Sequence, residues 1–319
     1  MMIASMLCWG SWANTMKLCP RYRFQLFYWD YVWGLIAGTL LWGFTLGSTG
    51  RYGLGFLADL AQIDRAHIGF ALLSGVLFNI ANLLLVAAIE VAGLAVAFPV
   101  GIGLALIVGS ISSYILQPNG NPALLFGGIA LVIAAIVFDA AAYRLREKDS
   151  RSPNRRGILL SLLAGLLMGS FYPFVAHAMS GPGAGGPYAI AFVFVVGVLI
   201  CAVPFNYLLM RKPLEGGSPL RLSHYKEARP SWHLAGVFGG MIWCTGAVFN
   251  FVSSRAHSVG PAVSYSIGQG ATMISAVWGV FVWKEFANAP RRSKILLTWM
   301  FILFLAGLCF MALAPLWGR

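Results

Sequence analysis

Charge is what this sequence lacks. Of 319 residues only 10% are charged, and just ten are acidic. A soluble globular chain carries roughly 25% charged residues, so a water-exposed surface of ordinary size cannot be built from this composition. Cysteine is also sparse. Cys8, Cys19, Cys201, Cys244 and Cys309 lie scattered, four of them in or near apolar runs. That spacing is neither a disulfide framework nor a metal site. Clustered Cys/His ligands, a Gly-x-Ser-x-Gly elbow and a Gly-x-x-x-x-Gly-Lys phosphate cradle are all missing, which removes the usual signatures of hydrolases and nucleotide-driven machines. No cofactor is expected, and no enzymatic activity.

Hydrophobic residues are present in abundance, at 59% with a mean hydropathy of +0.78. The formal charge of +12 comes from 22 basic residues. They occupy short loops between apolar runs, with no basic stripe interleaved with aromatics, so nucleic acid is not an expected partner. Membrane lipid is.

Each crossing of a bilayer needs about 20 apolar residues. Runs of that kind fall near 1–16, 27–46, 67–89, 93–116, 122–143, 157–177, 187–210, 232–254, 258–283 and 295–316. The predicted fold is an all-α membrane protein of about ten transmembrane helices. The connectors 47–66 and 211–231 are too small for a separate core. The first run is short, since 16 residues reach only about 24 Å. Either the natural beginning lies upstream, which is the expectation, or Lys17 snorkels to the interface.

The chain also repeats itself. Gly93-Leu94-Ala95-Val96-Ala97-Phe98-Pro99-Val100-Gly101-Ile102-Gly103 recurs as Gly260-Pro261-Ala262-Val263-Ser264-Tyr265-Ser266-Ile267-Gly268-Gln269-Gly270, 167 positions later. Gly10-Ser11-Trp12 answers to Gly169-Ser170-Phe171. Loops after the odd-numbered runs hold 18 of the 22 basic residues, and the opposite side holds Arg51, Arg65, Arg255 and Arg319. Lysine and arginine collect on the cytoplasmic side, so both termini are predicted outside. Five runs per half then make the second half an inverted copy of the first: 1–143 and 157–319 as two five-helix repeats, joined by a basic cytoplasmic linker, 144–156. Inverted repeats are an architecture of secondary transporters, with the solute site where the halves meet. A structural or receptor-like membrane protein is the reading from another class, and saturable uptake separates the two.

Polar side chains are costly in hydrocarbon and turn toward a bundle interior. Gly75, Asn79, Asn82, Val86 and Glu90 follow helical spacing down one stripe of the third run. A carboxamide offers two donors and two acceptor lone pairs. Such a stripe suits the edge of a planar polar solute or the hydroxyls of a sugar, and it also suits interhelical glue. Asn14 sits beside Trp9 and Trp12, whose indoles are placed to cover a ring face. Tyr172-Pro173, Asn250, Tyr265 and Gln269 supply candidate substrate contacts from the second half, and Pro99 with Gly101 and Gly103 in the fourth run, the partner of the ninth, predicts loosened helices at equivalent points of both halves. Asp30 is the first candidate for a proton-responsive carboxylate, with an ion pair to Arg21 or Arg23 as its other reading. Glu90 is the second candidate, with an interfacial position as its other reading.

The runs Cys8-Trp9-Gly10-Ser11-Trp12-Ala13-Asn14-Thr15, Leu26-Phe27-Tyr28-Trp29-Asp30-Tyr31 and Thr45-Leu46-Gly47-Ser48-Thr49-Gly50, with Asn79-Ile80-Ala81-Asn82 and Ala88-Ile89-Glu90-Val91-Ala92-Gly93, resemble the ureide permease branch of the drug/metabolite transporter superfamily. The glucose, ribose and rhamnose porters of bacteria are similar at this level. The resemblance implies an inner-membrane permease for ureides or nucleobases first and sugars second, coupled to protons. The central linker here is shorter than the loop described in plant ureide permeases.

Overall fold

The computed structural model describes residues 1–50, 53–147, 155–214, 218–256 and 259–317. Among them every regular element is helical: α1 (Met2–Ser11), α2 (Phe24–Phe44), α3 (Phe56–Gln62), α4 (Arg65–Ala92), α5 (Leu94–Leu116), α6 (Pro122–Glu147), α7 (Arg155–Ala178), α8 (Pro187–Arg211), α9 (Leu222–Lys226), α10 (Pro230–Ser254), α11 (Gly260–Gly268), α12 (Ala271–Val277) and α13 (Arg291–Leu313). Among the described residues, eight helices are long and apolar enough to cross a membrane: α2, α4 to α8, α10 and α13, or the greater part of each. Most of the predicted 144–156 linker, residues 148–154, lies outside the described residues.

The first and ninth predicted runs are helical but interrupted. α1 gives way at Trp12 to a 3-10 segment, Trp12–Leu18, where the Asn14 amide and Thr15 hydroxyl donate to the Ser11 and Trp12 carbonyls. Such local bonds compete with the α-helical ladder, and a 3-10 run this long is uncommon and marks strain or a hinge. The ninth run breaks between α11 and α12 at Gln269-Gly270 and ends in a π-helical turn, Trp278–Val282. By contrast α5 runs unbroken through Pro99. Proline near a helix start removes one backbone donor without ending the helix, so the predicted matching break in the fourth run is absent. The connectors are not bare tethers, since they hold α3 and α9.

Local sequence explains the boundaries. Asp64 caps α4 by accepting from the His67 amide at 2.9 Å, and α8 and α10 open on Pro187 and Pro230, where a missing N–H costs nothing. The repeated turn is built alike in both copies: Gly93 and Gly260 have φ of +79° and +70°, a region that only glycine enters without strain.

The helices pack as α4 with α7 and α8, α10 with α1 and α2, α5 with α7, α1 with α12, α2 with α8, α5 with α11, and α6 with α13. One buried cluster joins α2, α4, α7, α8 and α10 around Phe27, Tyr31, Phe78, Phe194 and Phe251. A second lies around Leu106, Val132, Met300 and Phe304 of α5, α6 and α13. Leu41, Ile115, Val137, Leu163, Ile200, Phe238 and Leu305 face outward and exposed. That many outward apolar chains from many helices is the surface of a protein solvated by lipid.

Candidate functional site

The α4 stripe does turn inward. Gly75 admits α8 closely, for a methyl group there would fall 2.0 Å from the Phe194 carbonyl oxygen. Asn79, one turn on, and Asn82, two turns on, are buried, Val86 is half-buried, and Glu90 at the helix end is exposed. Facing them from α2 are Tyr28 and Tyr31, both fully buried. Tyr28 donates its hydroxyl to Asn79 Oδ1 at 2.9 Å. The amide nitrogens of Asn79 and Asn82 and the Tyr31 hydroxyl are buried with no hydrogen-bond partner. Tyr28 lies beside Asn82, and Cys201 of α8 beside Asn79. Leaving one buried polar group unmet costs about 1–3 kcal/mol. Three such groups on two facing helices are an arrangement that folding alone would select against.

Aromatic rings border them. Trp12 lies 4.8 Å from Tyr31, and Tyr31 stacks on Tyr28 at 5.3 Å. Trp9 stacks on Trp243 at 5.8 Å and donates its indole hydrogen to the Trp243 carbonyl. Trp243 lies 4.4 Å from Phe78, the neighbour of Asn79. The expected single face of Trp9, Trp12 and Asn14 is therefore corrected. The switch to 3-10 geometry at Trp12 changes the angle per residue, and Asn14 turns away to accept from the Trp283 indole at 2.6 Å. Trp278 likewise donates to Ser11 Oγ at 2.9 Å. The interrupted first helix is thus fastened along the interrupted ninth.

The candidates of the second half form a separate network. Tyr172 donates to Asn250 Oδ1, the Asn250 amide donates to the Ser264 carbonyl at 2.9 Å, and the Ser264 hydroxyl donates back to the Asn250 carbonyl at 2.9 Å. Tyr265 spans to the Ala105 and Met168 carbonyls at 3.2 and 3.4 Å. These bonds tie α7, α10, α11 and α5 together. Gln269 is half-buried at the α11–α12 break. Beyond this network, a cavity of about 260 Å³ lined by Gln117, Asn119, Ser254 and Arg255 opens at the ends of α5, α7 and α10.

Among the carboxylates, Asp30 has partners that its sequence neighbours do not reveal. Tyr22 donates to Oδ2 at 2.7 Å, Tyr225 to Oδ1 at 2.6 Å, and His233 Nδ1 lies 2.9 and 3.0 Å from the two oxygens. The expected arginine is elsewhere: Arg23 donates to the Ser218 carbonyl, and Arg21 is exposed. At the same end, Glu285 binds Lys17, Tyr143 and Arg146. Burial pushes the Glu285 carboxyl up, but the bond to Lys17 and its charge, with Tyr143 and Arg146, hold it below the ordinary glutamate value. Sequence reasoning missed His233, Tyr225, Tyr28 and Tyr31. The two α2 tyrosines were recoverable, because residues three apart share a helix face. His233 carried no signal, since nothing in its own helix points to Asp30.

Known transporters resemble this chain over most of its length. The chain is 22% identical to ureide permease 2 of Arabidopsis thaliana, with 96% of this chain and 94% of that protein covered. It is 24% identical to the glucose uptake protein GlcU of Bacillus subtilis strain 168, over 76% of this chain and 77% of that one. A solved crystal structure matches 98% of this chain and 96% of its own with a TM-score of 0.67 at 15% identity, a likeness of fold alone. The model of the sugar transport protein family matches residues 40–314, a stretch that takes in α4 with its two asparagines and the helices packed around it. The chain accordingly belongs to the sugar transport protein family, and it is an integral membrane transporter rather than an enzyme.

Proposed function

We propose that this protein is a secondary active transporter of the inner membrane, moving a small, neutral, polar solute of the ureide or nucleobase type by alternating access and driven by protons. The observation that carries this reading is the set of unpaired groups on α4 and α2. Two amide nitrogens are donors only, so their complement is a molecule with acceptor oxygens. A flat ring bearing carbonyl groups meets them at its edge while the Trp12–Tyr31–Tyr28 rings cover a face. Asn79, Asn82, Tyr31, Trp12 and Trp9 are the direct contacts in this reading. Tyr172, Asn250 and Tyr265 hold the second half against the site, and Gln269 marks the break between α11 and α12.

Ten crossings in two inverted halves, 1–143 and 157–319 about the basic linker, complete the proposal, with both termini outside. It is supported by the pairing of helices. Exchange the halves, so that α1, α2, α4, α5 and α6 swap with α7, α8, α10, the α11–α12 pair and α13. Each packing pair named above then maps onto another or onto itself: α4–α8 becomes α10–α2, α5–α7 becomes α12–α1, α4–α7 becomes α10–α1, and α2–α8, α5–α11 and α6–α13 are unchanged. The repeated glycines follow. Gly10 abuts α12 at Ala271 and Ile274, and Gly169 abuts α5 at Ala105 and Val108. Asp30 is the first choice for coupling. Glu90 is exposed at the end of α4, so a proton bound there changes little, and it is the second.

A sugar is the second reading, favoured by the likeness to GlcU and by the same indoles, which cover the apolar face of a pyranose. Thermal stabilisation of the purified protein by allantoin, uracil, xanthine, glucose, ribose and rhamnose, then uptake of each hit into proteoliposomes under a proton gradient, separates the readings. Stabilisation by a sugar alone overturns the ureide and nucleobase assignment, and silence across all six overturns both.

A further inference from the structure

We infer that His233 and Asp30 together form a proton-binding site, with the imidazole as the member that takes up and releases the coupling proton. The inference rests on the proton-driven reading above and deepens it.

The geometry divides the labour. Asp30 receives the Tyr22 hydroxyl, the Tyr225 hydroxyl and His233 Nδ1, all within 3.0 Å. As an anion Asp30 presents only acceptor oxygens, and three donors meet them. Because both Asp30 oxygens can only accept in that state, Nδ1 carries the imidazole hydrogen, and the remaining ring nitrogen is left to gain or lose a proton. Access points the same way. The Asp30 side chain is 3% exposed and that of His233 26%, so a proton reaches the pair through the ring. Gly236, one turn after His233, brings the α10 backbone against Asp30, which fixes the distance between the two helices.

Among the described residues, the neighbouring cations are bonded elsewhere. From the segment before α2 come Cys19 and Tyr22, the former bonded to the Thr15 and Trp232 carbonyls. From α9 comes Tyr225. Just before α10, Arg229 lies over the Trp232 ring; before α2, Arg23 is bonded to the Ser218 carbonyl and Lys17 to Glu285. Histidine changes charge between about pH 5 and 8. Protonation therefore converts the α2–α10 link from a hydrogen bond into an ion pair that also holds α9 through Tyr225. Loss of the proton loosens three elements at once on the basic-loop side of the bundle.

The test uses full-length protein in proteoliposomes with allantoin and glucose as probes. Counterflow at equal pH on both sides reports the carrier alone, and accumulation under an imposed proton gradient reports coupling. In His233→Gln counterflow persists, gradient-driven accumulation is lost, and the pH dependence of counterflow disappears. Tyr225→Phe, which keeps both charged groups, retains accumulation with an altered pH profile. A His233→Gln protein that concentrates solute with the wild-type pH profile overturns the site. Wild-type vesicles that exchange solute without concentrating it overturn proton coupling and this inference together, whereas wild-type vesicles that exchange neither probe overturn the transport of these solutes on which it rests.

Discussion

Tyr28 gives its hydroxyl hydrogen to Asn79 Oδ1 at 2.9 Å, and the nitrogen of the same carboxamide is left buried with no acceptor. The tyrosine fixes which way the amide points, so its donor end is presented away from Tyr28.

Asn79→Ala and Asn82→Ala are each expected to abolish uptake while leaving membrane insertion intact, checked by flux in proteoliposomes against the amount of protein inserted. Normal transport by both variants assigns the pair to helix packing.

Tyr31→Phe separates binding from folding. Its hydroxyl has no partner, so removing it leaves stability unchanged or raised by up to about 1 kcal/mol, since an unmet buried group is a cost. Solute binding weakens in the same variant. Thermal unfolding with and without ligand reads both effects, and loss of stability in the ligand-free protein contradicts the assignment.

Asn250→Ala has the opposite signature. Its carboxamide is engaged at both ends by Tyr172 and Ser264, and loss of that clasp is expected to cost about 1–3 kcal/mol. The order of preference among solutes stays the same. A changed order in competition uptake moves Asn250 into the binding site.

Asp30→Asn removes the pH dependence of uptake if the carboxylate anchors the titrating pair. Unchanged dependence rules that role out, whatever happens to the maximal rate.

Acid should loosen the seam at Glu285. Its carboxyl lies below the ordinary value of 4.5 in the folded protein. The stabilisation is therefore fully present above 4.5 and is lost as pH falls through the depressed folded value. Wild type is expected to lose melting temperature in this range more steeply than Lys17→Ala. Parallel curves for the two proteins remove the Lys17–Glu285 pair from the account.

The apolar runs made the membrane fold legible, because each crossing must satisfy its own backbone and announces itself by length. The repeated turn was legible too, since Gly93 and Gly260 need the same backbone conformation. The α4 stripe was readable because a regular helix keeps its periodicity. Periodicity failed where the helix did. The 3-10 switch at Trp12 sent Asn14 to Trp283, and no spacing rule anticipates a change in the number of residues per turn. Pro99 misled in the other direction, by sitting in a helix that tolerates it. The Asp30 partners were out of reach for a different reason. Tyr225 and His233 lie 195 and 203 residues away, and contact across that separation is a property of the packed bundle.

The indole bonds from Trp278 to Ser11 and from Trp283 to Asn14, with Lys17 on Glu285 beside them, are spaced along the two interrupted helices like rungs. Neither helix has an unbroken ladder of its own to resist bending, yet each is stiffened by the other. The two segments are therefore braced as one unit, which joins the Glu285 end to Trp12 and, through the Trp12 ring, to Tyr31 on α2.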